Sequence, residues 1–398
     1  MRSRCPRTIM TMLVLLTLAA SLNTPAGAMK ARPDQVRGSA VRDRSPAVAM
    51  RTATPIKHLV VIYQENVSFD HYFATYPHAQ NLPGEPRFDA PYPTPRINGL
   101  NAHLLTHNPN LRQPFRLDRK QALTCGMNHG YMAEQRAYNG GRMDQFVQWT
   151  EGWNGDPTRY WNWKVNPPRP WQYCPSGVVM GYYDGNTVTA LWNYALHFAM
   201  DDYAHGTMFG PSTVGALNLV AGDTAGTVCA PYALQFGIHS CSWKLTPQQR
   251  LDKNARPIAL HDDIDPYYDD CSVGGPHNRS QTAALITRNI GDLLTAAHIT
   301  WGWFAGGFDK CTARHPDVAY DVQVARINPA TDARVYPDYD QHEEPFQYFA
   351  TTSNPHHVRP SSAAMIGQTD RANHQYALKD FWQAAEAGNL PAVSFLKA

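Results

Sequence analysis

Three short apolar runs along the chain have the character of β-strands. Residues 58–63 have the sequence HLVVIY, a β-branched run that is apolar on both faces, and this pattern predicts a buried parallel strand. The runs at 299–304 and 391–396 are also typical of strands. Glu65 and Asn66 follow the first run, so polar side chains are expected at the carboxyl end of that strand.

Apolar residues recur at helical spacing in three other segments. The periodicity predicts amphipathic helices over 187–200, 286–297 and 377–387. Stretches rich in Pro and Asn at 74–125 and 150–180 predict long loop insertions. The alternation of strands, loops and helices favours an α/β fold with a mainly parallel central sheet, in which ligands bind beyond the carboxyl ends of the strands.

The N-terminal segment is typical of a secretory signal peptide. Three arginines lie among the first seven residues, an apolar run follows at 10–22, and Ala26-Gly27-Ala28 fits the small-x-small cleavage pattern. A membrane anchor is the alternative, but the apolar run is shorter than the roughly 20 residues that a span needs. We therefore predict a signal peptide at 1–28, a flexible leader at 29–55, and a secreted or periplasmic protein.

Composition and charge exclude two broad classes of protein. The chain has 398 residues, of which 43% are hydrophobic, so it has enough apolar side chains for a folded core rather than wholesale disorder. It has 35 Lys and Arg against 33 Asp and Glu, and removal of the arginine-containing signal peptide would leave it close to neutral. A near-neutral chain gives no electrostatic reason to expect binding to nucleic acid.

The cysteines indicate disulfide bonds. Six of them follow the predicted signal peptide: Cys125, Cys174, Cys229, Cys241, Cys271 and Cys311. An even number in an exported chain is consistent with up to three disulfides, although the connectivity stays open, and some cysteines could instead be buried free thiols. The short spacing between Cys229 and Cys241 favours a local bond, and the absence of a C-x-x-C pair disfavours a zinc ribbon.

The segment from Glu65 to His71 is the first candidate for chemistry. It holds two acids, an amide, a hydroxyl and an imidazole within seven residues. Oxygen ligands from Glu65 and Asn66 would suit a hard or borderline divalent cation. The alternative is a capped turn between a strand and a helix, in which Asn66 or Ser68 binds free backbone amides.

Thr207 is the second candidate, because it lies in a glycine-flanked turn after a predicted helix. Gly206 precedes it and Gly210-Pro211 follows shortly after. A hydroxyl in such a turn could be exposed and activated by a metal as a nucleophile. The alternative is an ordinary turn hydroxyl, which is the commoner case.

Two histidines and an acidic loop are the remaining candidates for a functional site. His129 and His342 could each hold a phosphate oxygen or donate a proton, although in a chain with 17 histidines a single one is more commonly structural or exposed. The acidic loop at 261–270 lacks the glycine of an EF-hand and is predicted to be solvated. The absence of a P-loop sequence and of a G-x-S-x-G elbow excludes a P-loop NTPase and a typical serine hydrolase.

Several blocks together resemble the bacterial phosphoesterase family that includes secreted non-specific phospholipases C and an exported acid phosphatase. The segment 58–73, HLVVIYQENVSFDHYF, resembles the opening strand of that family and its E-N-x-S-F-D-H-x-F signature. The segment 202–218, DYAHGTMFGPSTVGALN, resembles a block in which a Ser or Thr lies shortly before Gly-Pro-Ser/Thr. Residues 128–131 resemble the block that carries an active-site histidine. The resemblance spans about 56–398, and its later blocks are 301–307, 342–349 and 390–397.

The resemblance implies an alkaline-phosphatase-like α/β/α sandwich with a mainly parallel central sheet and long loop insertions. It also implies metal-assisted hydrolysis of phosphoesters. Glu65 and Asn66 would bind a divalent metal ion, whose identity stays open. Thr207 would attack phosphorus and form a phosphoenzyme, and His129 and His342 would contact the phosphate or assist the leaving group.

The activity implied by the resemblance is phospholipase C-type cleavage of phospholipid head-group esters. A broad acid phosphatase that acts on monoesters is the alternative. The partner would be a phospholipid or a small phosphoester, with transient contact to a membrane surface. In the family the strand at 390–397 is followed by an acidic pair that completes the metal site, whereas this chain stops at Ala398. We therefore expect a phosphoesterase domain at 56–398 that is incomplete at its C-terminus, and an inactive secreted binding protein is a second alternative.

Overall fold

The computed structural model describes residues 45–65, 67–122, 124–153, 156–160, 173–228, 260, 263–272, 282–310 and 339–397. Several predicted features lie outside the described residues, namely the signal peptide at 1–28, Asn66, Cys229, Cys241 and Cys311.

Helices and strands alternate along much of the described chain. The α-helices are α1 (Pro46–Ala49), α2 (Phe69–Phe73), α3 (Ala102–Thr106), α4 (Tyr131–Tyr138), α5 (Thr189–His197), α6 (Ser212–Ala221), α7 (Ile290–Ala296) and α8 (Leu378–Glu386). The strands are β1 (Leu59–Ile62), β2 (Phe115–Arg116), β3 (Gly152–Trp153), β4 (Asp156–Tyr160), β5 (Gly181–Tyr182), β6 (Thr227–Val228), β7 (Asp265–Pro266), β8 (Thr282–Leu285), β9 (Trp301–Ala305), β10 (Gln375–Ala377) and β11 (Val393–Lys397). Short turns of 3-10 helix include Gln341–Glu343 and Pro345–Tyr348. None of the described helices is long and apolar enough to span a membrane.

The central sheet has four described strands in the order β1–β11–β9–β10, and every neighbouring pair is parallel. Val61 lies opposite Phe395 in the register, and Phe395 lies opposite Trp303. Parallel strands present their carboxyl ends at one edge of a sheet, so the residues that follow β1 lie near Lys397 at the end of β11. The prediction of an α/β fold with a mainly parallel sheet is therefore confirmed.

One face of this sheet packs against α6 and α7. Trp301 and Trp303 of β9 and Phe395 of β11 are buried there, together with Leu217 of α6. Helix α7 approaches β9 so closely that a Cβ at Gly291 would lie 2.4 Å from the ring of Trp301. Burial of each large apolar side chain stabilises the fold by roughly 1.5–3 kcal/mol, so this face forms the main core.

The opposite face of the sheet packs against α8. Phe304 stacks on Tyr376 with ring centroids 5.1 Å apart, and Phe381 of α8 lies 5.5 Å from Phe304. Gly388 follows the end of α8 with a φ of 63°, the left-handed conformation that ends many helices. The helix predicted at 377–387 is confirmed, and the sheet has helices on both faces.

Strand β1 differs from the prediction of a buried strand. Among the described residues it pairs with β11 alone, and Leu59, Val60 and Ile62 are 54%, 38% and 42% exposed. A β-branched apolar run predicts a strand, but it does not distinguish an edge position from a central one, because both favour the same residue types. The prediction of burial was therefore wrong, while the prediction of a parallel strand was right.

A second packed cluster lies in the first half of the chain, around α2 and α5. Trp192 of α5 is fully buried, and its Nε1 donates a hydrogen bond to the carbonyl oxygen of Tyr72 at 2.7 Å. Its ring lies 5.2 Å from that of Tyr76 and 5.1 Å from that of Phe88. Helix α5 thereby confirms the helix predicted at 187–200 and anchors the loop that follows it.

Disulfide bonds, expected from the even cysteine count, are present. Cys125 is bonded to Cys174, and Cys271 is disulfide-bonded as well. The bond at Cys125 fixes the start of the segment that leads to His129, so it restrains one of the predicted site segments.

The acidic loop predicted to be solvated at 261–270 is instead buried at several of its described residues. Asp269 and Asp270 are 1% and 3% exposed. Asp269 lies 2.9 Å from Nε2 of His357 and accepts a hydrogen bond from the hydroxyl of Tyr339. The carboxylates lie inside because distant segments supply their partners, which a local sequence pattern does not reveal.

The predicted flexible leader, 29–55, is described from Ser45 onward, and only part of that stretch is buried. Helix α1 follows Ser45, whose hydroxyl donates to the carbonyl oxygen of Leu390. Ala47 is only 1% exposed. Ser45 and Ala47 are thus buried against the domain, whereas residues 51–55 of the predicted leader are exposed.

Candidate functional site

Glu65 lies just beyond the carboxyl end of β1, and its carboxylate contacts three side chains from separate segments. It is hydrogen-bonded to the side chains of Glu343 and Ser212. The ammonium Nζ of Lys397 lies 3.5 Å from its Oε1. The parallel topology explains this convergence, because the residues after β1 and the end of β11 share one edge of the sheet.

The carboxyl groups of Glu65 and Glu343 lie in contact with each other. Burial raises the pKa of Glu65 to about 7, and the hydrogen bond and charge of Glu343 act in the same direction. Lys397 and the Ser212 hydroxyl lower this pKa without cancelling the rise. Two carboxylates in contact repel each other, and this repulsion disfavours the charged form of Glu65.

Lys397 supplies the positive charge of this cluster. Its Nζ lies 2.7 Å from Oε2 of Glu343 and 5.8 Å from the centre of the Tyr63 ring. The side chain of Lys397 is 13% exposed, and those of Glu65 and Glu343 are 17% and 19% exposed. Water screens such a contact less than it screens an ion pair on the open surface, so its electrostatic energy is larger.

Helix α6 begins beside Glu65. Ser212 is its first residue, and its hydroxyl reaches the Glu65 carboxylate. The backbone amide of Thr213 donates to Oδ1 of Asp263 at 3.0 Å, and Pro211 precedes the helix without a side-chain cap. The amino end of a helix carries partial positive charge, so an anionic group such as a phosphate is stabilised there.

His342 lies next to Glu343 in the turn before the buried segment 345–349. Its Nδ1 is 2.6 Å from Oδ1 of Asp340, and its carbonyl oxygen accepts a hydrogen bond from Oγ1 of Thr213 at 3.1 Å. Burial lowers the pKa of His342, but the hydrogen bond and charge of Asp340 outweigh this effect, and the pKa is raised to about 9. The ring is therefore an imidazolium at neutral pH.

Thr207 lies on the loop between α5 and α6, and its side chain is exposed. Two contacts hold the end of this loop against α4. The backbone amide of Gly210 donates to Oε2 of Glu134 at 2.7 Å, and the ring of Phe209 lies 5.2 Å from that of Tyr138. The exposed position meets the accessibility that a nucleophile requires, and the catalytic role of Thr207 stays a prediction.

His129 lies immediately before α4 and has a defined tautomer. Its Nδ1 is 2.8 Å from the carbonyl oxygen of Met127, and a carbonyl can only accept, so Nδ1 carries the hydrogen. In the neutral ring Nε2 is then the basic nitrogen. Glu134, in the first turn of α4, interacts electrostatically with His129. The segment of His129 and the loop of Thr207 therefore share Glu134.

The stretch 210–212 connects the segment of His129 with the Glu65 carboxylate. Its first residue contacts Glu134 and its last contacts Glu65. Two residues of chain span at most about 7 Å, so the segment of His129 and the Glu65 carboxylate flank one short stretch of backbone. Among the described residues, no hydrogen bond or ion pair joins Thr207 to either of them.

The carboxylate-rich edge fits a divalent cation. Asp340 and Glu343 belong to a group whose ligand atoms lie within 4.8 Å of one another, and the hydrogen bond between Glu343 and Glu65 extends this group. His342 lies in the same group, but its imidazolium ring has no lone pair to offer a metal. The ammonium of Lys397 between two of the carboxylates shows that the edge accommodates positive charge. Oxygen donors of this kind are preferred by hard divalent cations.

A second group of potential ligand atoms does not form a metal site. Asp269, Cys271 and His357 also lie within 4.8 Å of one another. Cys271 is disulfide-bonded, so it has no thiolate to offer. Both ring nitrogens of His357 are engaged, with the Asp269 carboxylate at 2.9 Å and the carbonyl oxygen of Phe308 at 2.6 Å.

The sequence interpretation missed two residues of the site, Glu343 and Lys397. Glu343 adjoins the predicted His342, and Lys397 ends β11. A topological signal was available, because polar residues at the carboxyl ends of neighbouring parallel strands meet at one edge. Using it requires knowing that β11 lies beside β1, which the local patterns do not show.

Comparisons with known proteins identify the family. The model of the Phosphoesterase family matches residues 56–398. The chain is 27% identical over 208 residues to phospholipase C A of Mycobacterium tuberculosis, from strain CDC 1551 / Oshkosh and from strain H37Rv. This match covers 50% of the chain and 36% of each relative, so the chain spans little more than a third of the length of these relatives. Since the family model covers most of its length, the chain belongs to the Phosphoesterase family.

Proposed function

We propose that the protein hydrolyses phosphate esters, and that its preferred reaction is phospholipase C-type cleavage of a phospholipid head-group ester. The observation that carries this proposal is the cluster of Glu65 and Glu343 beside the amino end of α6, at the carboxyl edge of the parallel sheet. Family membership supports ester hydrolysis, and the similarity to phospholipase C A supports the finer choice of substrate.

Thr207 is the proposed nucleophile. Its Oγ1 forms a bond to phosphorus while the bond from phosphorus to the alcohol oxygen of the lipid breaks, and the alcohol leaves with a proton. Water then attacks the phosphoenzyme, which releases the phosphorylated head group and restores the threonine hydroxyl. The exposed position of Thr207, on a loop held to α4 through Gly210, supports this role.

The two histidines have complementary proposed roles. His129 carries its hydrogen on Nδ1, so Nε2 is available to accept a proton. His342 is paired with Asp340, and its cationic ring would contact phosphate oxygens or donate a proton to the leaving group. The positive end of α6 would add to the stabilisation of the phosphate.

A divalent cation is part of the proposal because the family implies one and the carboxylate-rich edge fits it. Glu65 and Asn66 would hold the ion, and the Ser212 hydroxyl orients the Glu65 carboxylate. When bound, the ion would favour the alkoxide form of the nucleophile and offset charge that develops on the phosphoryl oxygens.

Two chromogenic substrates and two variants test this proposal. The wild type should hydrolyse a phosphocholine aryl diester faster than an aryl monophosphate. Thr207→Ser should keep much of the activity because the hydroxyl remains, whereas Thr207→Val should lower kcat/KM by about a thousand-fold or more because the nucleophile is lost. Thr106→Val changes an exposed threonine of α3 and should leave the rate unaltered.

The outcomes separate the alternatives. Hydrolysis of the monoester alone would replace the phospholipase C assignment with an acid phosphatase. Hydrolysis of neither ester by the full-length protein would contradict the proposal. Equal rates for Thr207→Val and the wild type would remove Thr207 from the mechanism and leave the family assignment in place.

We also propose that the protein is secreted or periplasmic and makes transient contact with a membrane surface. The N-terminal sequence pattern and the lipid substrate support this location. N-terminal sequencing of protein recovered outside the cytoplasm should begin near residue 29, and a mature chain that still starts at Met1 would contradict it.

A further inference from the structure

The ammonium of Lys397 occupies the space between two carboxylates of the proposed cation site. Its Nζ lies 2.7 Å from Oε2 of Glu343 and 3.5 Å from Oε1 of Glu65. We propose that Lys397 is an internal counter-ion of the Glu65–Glu343 pair, and that a divalent cation displaces it when it binds. The inference rests on the proposed function, because a divalent cation at Glu65 belongs to that function.

The backbone of Lys397 is held by the sheet, whereas its side-chain ammonium can move. The residue ends β11 opposite Ala305, and its carbonyl oxygen accepts a hydrogen bond from the amide of Gly306 at 3.0 Å. The ammonium is carried on a flexible four-carbon stem. The ring of Tyr63, whose centre is 5.8 Å from Nζ, offers an aromatic face to the displaced ammonium.

Charge explains why the lysine and the metal compete. The two carboxylates and one ammonium are mostly shielded from water, with side chains 13% to 19% exposed. Without a metal, Lys397 offsets the repulsion between Glu65 and Glu343. A dication that binds the same oxygens lies within a few ångströms of the ammonium and is repelled by it, because screening is weak in a partly buried site.

Two consequences follow from this competition. Lys397 stabilises the metal-free protein, and it weakens the affinity for the cation. Removal of its charge should therefore lower the melting temperature of the metal-free protein and tighten metal binding. A lysine that served only to pack the strand end would lower stability without tightening binding.

Titration of the full-length protein with MnCl2, in the absence of substrate, measures the competition directly. Lys397→Met keeps the length of the stem and removes the charge, so Mn²⁺ should bind at least about ten-fold more tightly than to the wild type. Lys397→Arg keeps the charge and should bind like the wild type. Lys379→Met is the matched control, because Lys379 lies on α8, is 56% exposed and pairs with Asp309 instead, so this change should not alter the affinity.

Thermal melting gives a second readout. Metal-free Lys397→Met should melt below the wild type, and saturating Mn²⁺ should raise its melting temperature by more than it raises that of the wild type. If Lys397→Met does not fold, the double variant Lys397→Met with Glu343→Gln restores the charge balance. This double variant should fold and should bind Mn²⁺ more tightly than Glu343→Gln alone, because the competing ammonium is absent.

The results that overturn the inference are distinct from those that overturn the proposed function. Equal or weaker Mn²⁺ binding by a folded Lys397→Met overturns it, as does a double variant that fails to fold or that binds no more tightly than Glu343→Gln alone. Glu65→Gln serves as the reference for the site. If Glu65→Gln abolishes binding and Lys397→Met leaves it unchanged, only the counter-ion role is lost. If Glu65→Gln binds like the wild type, the metal site of the proposed function fails as well.

Discussion

Asp269 and His357 form a buried ion pair, and breaking it should destabilise the protein strongly. The side chains of His357 and Asp269 are 1% and 0% exposed. Nε2 of the imidazole lies 2.9 Å from the carboxylate, and Nδ1 lies 2.6 Å from the carbonyl oxygen of Phe308. Both ring nitrogens face acceptors, so the ring needs both hydrogens and carries a positive charge.

Asp269→Asn removes the counter-charge and keeps the size of the side chain. Loss of one partner from a buried ion pair costs about 3–5 kcal/mol, because the other charge is left uncompensated. The unfolding entropy of globular proteins is about 2.1 cal/mol/K per residue near 60 °C, so a domain of this size should lose roughly 4–7 °C in Tm.

The same pair predicts a dependence of stability on pH. Burial lowers the pKa of His357, but the charge and hydrogen bond of Asp269 outweigh this effect, and its folded pKa is raised. Stabilisation from a raised pKa is complete below the unfolded value of about 6.5 and is lost as the pH rises through the folded value. Burial also raises the pKa of Glu344, which adds a loss of stability in the same direction. The Tm of the wild type should therefore fall as the pH rises above about 6.5, and that of Asp269→Asn should fall less.

Differential scanning calorimetry of the wild type and the variant between pH 5 and 9 measures both effects. Asp270→Asn is the matched control, because its partner His356 is 72% exposed and stays solvated, so it should cost under about 1 kcal/mol. A Tm for Asp269→Asn within a degree of that of the control would refute the assignment of a charged imidazolium. An unchanged slope with pH in Asp269→Asn would refute the assignment as well.

Two further perturbations test how the site is supported. A Cβ at Gly215 would lie 2.9 Å from the Tyr63 hydroxyl. Gly215→Ala should therefore lower the free energy of unfolding by about 1 kcal/mol in thermal melts, although alanine has the better helix propensity. Gly126→Ala is the control, because a Cβ there meets no atom within 4 Å and the change should be near neutral. Replacing Cys125 and Cys174 with serine should cost about 2–4 kcal/mol in urea denaturation, and an unchanged midpoint would contradict a stabilising role for that bond.

The sequence predicted best those elements whose signal is local. The helix predicted at 377–387 is α8, and the strand predicted at 391–396 is β11, with ends that differ by one or two residues. Their periodicity follows from the packing of one face against the core, so it is present in the element itself. The exposure of β1 and the burial of Asp269 depend on partners far along the chain, and these were the two features for which the local prediction failed.

The candidate site shows the same boundary between local and non-local information. Glu65 could be selected from the sequence because it directly follows a strand, and the carboxyl end of a strand in a parallel sheet is where ligands bind. Lys397 could be selected only if the strand order were known, because β11 must lie next to β1. The residue pattern of each strand does not indicate its neighbour in the sheet. Glu343 requires one step more, since it lies in a turn outside the sheet and reaches Glu65 only because the following segment, 345–349, is buried against the core. Residues of a site can therefore be predicted individually where they end a strand, whereas the charge balance among them depends on the strand order.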